Sequence, residues 1–305
     1  TAVGKTALAV ELCERLGAEV IAADSRQVYR GLELGSAAPT AAELARAPHH
    51  LVGFLEPDQT FDVADFVTAA EACLADLLAR GRTPVVVAGT AMWLKALTAG
   101  WTFAGIGSDE AVRARLEAEA EAHGNEVLHA RLTALDPDTA ARLHVSDRKR
   151  LVRALEVYEL TGRPLSEVLA EHGTRAVPYD YRVALLSRPR EELYRRIDER
   201  VLKLLDAGWL AEVRSLLDGG LSGAERAFEG LGYPQLVAHL RGELDLDVAV
   251  ASIQQDTRRF AKRQLTWDRQ FAGAARFELG ADETAGEAAE RVVQWWQEAV
   301  KAHDA

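Results

Sequence analysis

The spacing of apolar and polar positions changes character along the chain. Residues 6–17, TALAVELCERLG, place Ala7, Val10, Leu12 and Leu16 at helical intervals and stop at Gly17. The next run, AEVIAAD (18–24), is apolar and ends in an acid, the pattern of a strand buried in a parallel sheet. FDVADFVTAAEACLADLLARG (61–81) returns to helical spacing and ends at Gly81. TPVVVAGT (83–90) reads as a second buried strand, running through a Gly-Thr turn into the helix AMWLKALTAG (91–100). Helix, strand, helix, strand, helix predicts an α/β fold with a parallel sheet, completed by a strand preceding Gly4.

From 108 to about 178 no strand pattern remains. SDEAVRARLEAEAEAHG, NEVLHARLTALD, PDTAARLH, SDRKRLVRALEVYELTG and PLSEVLAEHG read as helices separated by caps and Gly or Pro stops. YRVALLSRP (181–189) returns to strand. The pattern predicts an α/β core over 1–107 and 181–305, interrupted by an all-helical insertion over 108–180. The stretch ETAGEAAERVVQWWQEAVKAH reads as an amphipathic terminal helix, and no internal repeat or low-complexity linker is visible.

Composition narrows the class. A chain of 305 residues that is 48% hydrophobic and 27% charged fits a soluble globular protein of one large or two smaller domains. It has no apolar run long enough to span a membrane and no visible secretory signal. It begins on Thr1 rather than Met, and the reading takes its beginning as missing. Cys13 and Cys73 lack metal or redox spacing and read as reduced, buried thiols of a cytoplasmic protein. The net charge of -11 argues against a blanket nucleic-acid coat but leaves room for a local basic groove. Asn125 is the only asparagine, so no guanine-reading N-K-x-D motif exists.

Three stretches carry candidate chemistry. Gly4-Lys5-Thr6 is the second half of a phosphate-binding loop, G-x-x-x-x-G-K-[ST], whose first glycine would lie two residues before Thr1. Such a loop presents backbone N–H groups and a helix N-terminus to phosphate, Lys5 reaches a terminal phosphate, and Thr6 can ligate Mg²⁺. Asp24, at a strand end, would face the same crevice; the competing reading is a cap for the segment SRQVYRG. The third feature is basic. DRKRLVR (147–153) and TRRFAKRQLTWDR (257–269) interleave Arg and Lys with Leu151, Leu155, Phe260 and Trp267, so one face of each helix packs and the other could follow a phosphate backbone. Arg196 and Arg200 stand one helical turn apart, and Arg200 could hold a leaving phosphate or pair with Asp198 or Glu199. His49-His50 brings no further ligands and reads as a packing turn.

Eight stretches, in order, are similar to the tRNA dimethylallyltransferase family: TAVGKTALAVEL, VIAADSRQVYRGLELGSA, APHHLVGFLEP, VVVAGTAMWLKALTAG, DRKRLVRALEVYELTGRPLSE, RIDERV, GLGYPQ and TRRFAKRQLTW. The resemblance covers nearly the whole chain. It implies an α/β fold with a P-loop-type parallel sheet core and a tRNA-contacting helical insertion. It implies transfer of a dimethylallyl group from dimethylallyl pyrophosphate to N6 of adenosine 37, beside the tRNA anticodon, with release of pyrophosphate. By resemblance Thr1, Ala2, Val3, Gly4, Lys5 and Thr6 hold the pyrophosphate, with Mg²⁺ at Thr6. Asp24 matches the general base, Arg200 the arginine that stabilises departing pyrophosphate, and Thr90 a residue at the target adenosine. Ser25, Arg26, Gln27, Arg113, Lys149, Arg150, Leu151, Val152 and Arg153 match tRNA contacts, as do Glu229, Gly230, Leu231, Gly232, Tyr233 and Pro234. The family implies a cytoplasmic monomer that binds the anticodon stem-loop. Departures are Ala88 where Gly is common, Pro234 where a basic residue is common, and Ala38 where Lys is common. The competing classes are a P-loop kinase that consumes ATP and a non-catalytic RNA-binding protein with a decayed loop.

Overall fold

The computed structural model describes residues 1–102, 107–171 and 175–303. These divide into two compact units, Thr1–Thr98 with Tyr179–Ala305, and Ala99–Pro178. The helical unit thus starts at Ala99 rather than at 108.

The first unit opens with helix α1 (Lys5–Leu16), which ends where Gly17 adopts φ 60°. Strand β1 (Ala18–Ala23) follows, buried along its whole length. Two short helices, α2 (Glu33–Ser36) and α3 (Ala41–Arg46), lead to strand β2 (His49–His50). Helix α4 (Val63–Ala79) is started by a capping box in which Asp62 accepts from the Ala64 and Asp65 N–H groups. Strand β3 (Thr83–Ala88) and helix α5 (Ala91–Thr98) complete this part. The sheet order is β2-β1-β3, with both pairings parallel. β3 is half-buried rather than buried, because among the described residues only one of its edges has a strand partner. His49 and His50 are a short strand, not a turn, paired in register with Val20 and Ile21.

The regular elements of the second unit, among its described residues, are all helices: α6 (Glu110–His123), α7 (Asn125–Leu135), α8 (Pro137–Ala140), α9 (Arg148–Thr161) and α10 (Leu165–Glu171). The predicted helix PLSEVLAEHG runs past 171 onto residues outside those described. Leu116, Leu128, Leu132, Leu151, Val152 and Leu155 form its apolar core. Two buried acids tie its turns together. Asp136 accepts from the Thr139 N–H at 3.0 Å and the Ser166 N–H at 2.9 Å. Glu156 is fully buried, pairs with Arg113 and Arg153, and accepts from the Asp109 N–H at 2.8 Å.

The chain then returns to the first unit through β4 (Ala184–Ser187), α11 (Arg190–Asp206), α12 (Trp209–Asp218), α13 (Tyr233–Leu240) and the long α14 (Leu246–Trp267). α11 and α12 are separated where Gly208 takes φ 103°, a conformation that favours glycine. Strand β5 (Ala275–Glu278), which the sequence pattern did not announce, pairs in parallel with β4. α15 (Ala285–His303) lays Ala288, Ala289 and Val292 into the core that Leu8 and Leu12 of α1 share.

Candidate active site

The opening turn is held in an unusual backbone conformation at the start of α1. Ala2 and Gly4 lie at φ 54° and 106°, and Gly4 caps α1 without a side chain. A left-handed alanine costs about 1–2 kcal/mol, so tertiary contacts must hold it. Two arginines do. Arg196 Nε donates to the Ala2 carbonyl at 3.0 Å, and Arg188 Nε donates to the Val3 carbonyl at 3.0 Å. In a trans peptide the carbonyl of one residue and the N–H of the next point in opposite directions. The Val3 N–H therefore points away from the carbonyl that Arg196 holds, and the Gly4 N–H away from the one that Arg188 holds, which leaves both available to an anion.

Lys5 and Arg200 make no hydrogen bond or ion pair with another side chain among the described residues. Burial pulls the Lys5 pKa below its ordinary value; Arg200 pushes the same way, while Asp24 and Asp268 oppose it. Burial likewise lowers Arg200, with Glu43 and Asp24 opposing. Two desolvated cations beside the nest make a site short of negative charge, which an anionic group would relieve. The alternative partners for Arg200 are engaged elsewhere: Asp198 with Arg258 and Glu199 with Arg195.

Asp24 sits one residue beyond the end of β1 and serves both readings the sequence left open. Its Oδ1 accepts from the Arg26 N–H at 2.9 Å and the Gln27 N–H at 3.4 Å, so it does cap the following turn. Its Oδ2 lies over Gly89, where a Cβ would come within 1.8 Å. Glycine is required at 89 for that approach. Gly89 and Thr90 are tied to β1, both N–H groups donating to the Ala23 carbonyl at 3.1 and 3.0 Å. Thr90 Oγ1 accepts from the Ser25 N–H at 3.0 Å and donates to Ser25 Oγ at 3.2 Å. The ends of β1 and β3 thus present Asp24, Ser25 and Thr90 together.

The roles of four residues at this site escaped the sequence reading, which named Arg196 only for its spacing from Arg200. Besides Arg188 and Arg196, Gln264 of α14 accepts from the Thr1 N at 2.5 Å and donates to the Gly89 carbonyl at 2.7 Å, bridging the opening turn and the Gly-Thr turn. Asp268 follows one helical turn later; burial raises its carboxyl while Lys5 opposes the shift. A glutamine inside a basic run gives no local signal of that bridging role.

The remaining candidates separate into exposed and buried groups. Arg26 pairs with Glu229 at 3.3 Å, joining the turn after Asp24 to the segment before α13. The Gln27 amide does not face outward: its Nε2 donates to the Ala37 carbonyl at 3.0 Å. Gly230, Gly232 and Tyr233 are buried, Leu231 is half-buried and Pro234 is exposed. In the helical unit Lys149 and Arg150 are exposed, whereas Leu151 and Val152 belong to the core. Leu151, Val152 and Tyr233, matched to tRNA contacts by resemblance, have side chains packed in the interior. Arg113 and Arg153 are half-exposed and held by Glu156 at 2.9 and 2.7 Å.

The Thr6 hydroxyl has no hydrogen-bond partner among the described residues, and no group of three or more His, Cys, Asp or Glu could cage an ion there. One hydroxyl without a carboxylate cage fits Mg²⁺, which keeps several waters and leans on substrate phosphates.

Fold and site together define an α/β transferase core with a loop-and-helix turn beside a strand-end carboxylate. The model of the IPP transferase family matches residues 27–271, and that of isopentenyl transferases matches 1–50. A tRNA dimethylallyltransferase of Trichlorobacter lovleyi is 47% identical over 269 residues, 88% of each chain. One of Anaeromyxobacter dehalogenans is 48% identical over 273 residues, 90% of each chain. Among solved structures, the tRNA isopentenylpyrophosphate transferase of Bacillus halodurans aligns with a TM-score of 0.71 at 34% identity, covering 100% of this chain and 97% of its own. A eukaryotic dimethylallyltransferase acting on tRNA aligns at 0.73 with 26% identity, covering 92% and 72%. The chain belongs to the IPP transferase family, and its fold is the P-loop-like α/β core with a helical domain.

Proposed function

We propose that this protein transfers a dimethylallyl group from dimethylallyl pyrophosphate to N6 of adenosine 37 in tRNA. The observation that carries the reading is the pairing of an anion nest and two desolvated cations with a carboxylate that keeps one oxygen uncommitted.

An adenine amine is a weak nucleophile because its lone pair is delocalised into the ring. It attacks an allylic carbon when its proton is drawn away and the leaving group is neutralised. Asp24 Oδ1 is fixed by two backbone N–H groups, so the proton goes to Oδ2. The nest N–H groups, Lys5 and Arg200 take up the charge that grows on pyrophosphate. Thr6 is the residue that would hold Mg²⁺, which when bound adds charge stabilisation on the diphosphate. Thr90 and Ser25 present hydroxyls at the nucleobase side of Asp24. The base must leave its stack to reach this crevice.

RNA is held outside the site by backbone contacts. α14 carries Gln264 inward and exposes Arg259, Lys262 and Arg263, and Arg269 is exposed just beyond its end. Lys262 has no ion-pair partner among the described residues, and Arg263 only stacks on Phe260. Lys149 and Arg150 make the corresponding surface of the helical unit. Most of the RNA affinity comes from these charges and falls with salt.

The test is to incubate the protein with Mg²⁺, dimethylallyl pyrophosphate and unmodified tRNA, digest the RNA and weigh the nucleosides. The expected result is one adenosine in which a hydrogen is replaced by a five-carbon allyl group, with pyrophosphate released. Unchanged nucleosides, with ATP consumed in a parallel reaction, would overturn it.

A further inference from the structure

We infer that Glu212, remote from the reacting groups, is a positioning residue for Asp24, acting through α2 and Gln27. The inference rests on Asp24 being the proton acceptor.

Helix α2 has no side-chain cap of its own. The residue preceding α2 is Leu32, which has no oxygen to offer the first N–H groups. The acceptor comes from another element. Glu212, on α12, takes the Leu34 N–H on Oε2 at 2.7 Å and the Gly35 N–H on Oε1 at 3.2 Å. Its Oε1 also accepts from the Tyr233 hydroxyl at 2.8 Å, and that hydroxyl lies 2.9 Å from the Leu32 carbonyl. Burial raises the Glu212 carboxyl, with Glu33 pushing the same way, and these three donors oppose the rise.

Packing makes the arrangement rigid. A Cβ on Gly35 would fall 2.2 Å from Trp209 Nε1 and 2.4 Å from the Tyr233 ring, and one on Gly232 would fall 2.1 Å from Trp209. Trp209 and Tyr233 are both almost wholly buried and meet edge to face. α2 therefore has one seat against α12 and α13.

The far end of α2 is where the site begins. Ala37, which closes the helix at φ 53°, offers its carbonyl to Gln27 Nε2 at 3.0 Å. The same Gln27 donates its backbone N–H to Asp24 Oδ1, beside the Arg26 N–H. The connection runs from Glu212 through α2 to the Gln27 side chain, and from the Gln27 backbone to the carboxylate. A displaced α2 frees the Gln27 side chain, loosens the turn over 25–28 and turns Asp24 Oδ2 away from Gly89. Tyr233 thereby has a role in the site through Glu212 and α2.

The experiment measures single-turnover prenylation at saturating donor and tRNA for Glu212→Gln, Gln27→Ala and the double variant, with donor affinity and melting temperature recorded beside it. Each single variant is expected to lose about tenfold in rate, the scale of a misplaced catalytic group. Donor affinity should stay within about twofold, because the nest is held by Arg188 and Arg196 instead. The decisive result is non-additivity: the double variant should be no slower than the slower single. Losses that multiply, or a Glu212→Gln rate equal to the parent, would overturn the inference. Should Glu212→Gln fail to fold, Tyr233→Phe replaces it, with an expected loss of about threefold and the same non-additivity with Gln27→Ala; multiplied losses there overturn it too. Asp24→Asn is run in parallel. A normal rate in that variant removes the proton-acceptor reading itself, whereas an inactive Asp24→Asn beside a normal Glu212→Gln removes this connection alone.

Discussion

β1 carries an acid near each end, and the two are treated oppositely. Glu19, at the start, is saturated: Arg80 donates to Oε1 at 2.7 Å and to Oε2 at 3.1 Å, and His50 Nε2 lies 2.8 Å from Oε2. Those bonds pull its carboxyl from 4.5 to about 2. Asp24, just past the other end, has one oxygen held by backbone and the other uncommitted, near a lysine and an arginine that have no side-chain partner. The same strand thus ends in a closed charge cluster on one side and an open one on the other. Closed clusters hold a fold together; open ones wait for a ligand. The difference lies in what surrounds each carboxylate.

Breaking the open end should have the largest effect. Asp24→Asn preserves shape and the Oδ1 acceptor, and should lower single-turnover prenylation by roughly 10²–10⁴-fold while tRNA binding is kept. Arg200→Ala should come next, losing roughly 10²–10³-fold in turnover, the usual scale for one donor to a developing anion, with weaker pyrophosphate inhibition. A normal rate in either would close the comparison by making both ends structural.

The closed end should respond in stability and hardly in rate. Because the folded pKa of Glu19 lies below its unfolded value, its stabilisation is complete above about 4.5 and is lost as pH falls toward about 2. Glu19→Gln should therefore lower the melting temperature at pH 7 by a few degrees, flatten its decline between those pH values and leave turnover intact. Thermal melts across pH 2–7 measure this, and an unaltered acid limb would show that Glu19 contributes nothing there. The smallest effect belongs to the surface. Arg150→Ala should weaken tRNA binding a few-fold and make the logarithmic salt slope shallower by about one, with donor affinity unchanged. A slope identical to the parent would return α9 to a solvated face.

Much of this was legible in the chain because it depends on local pattern. Helix α1 after Gly-Lys-Thr, the apolar runs that became β1 and β3, and the helical character of the described residues of the insertion all follow from spacing and caps. Asp24 was legible as an acid at a strand end. What escaped had no local signature. β5 is four residues long and needs β4 to be a strand. Val152 and Tyr233 enter only as parts of segments matched by family resemblance, and no local pattern announces that both are buried.

By itself the sequence determined most of the helices, the strands β1, β3 and β4, the acid-bearing strand end, the half-motif of the phosphate loop and the family these belong to. Tertiary structure alone decided which oxygen of Asp24 is free, which arginines hold the loop carbonyls and which acid caps α2. The reason is distance along the chain. Arg196 meets Ala2, Gln264 meets Gly89 and Glu212 meets Leu34 across well over a hundred residues each, and no local periodicity encodes a contact that only folding creates.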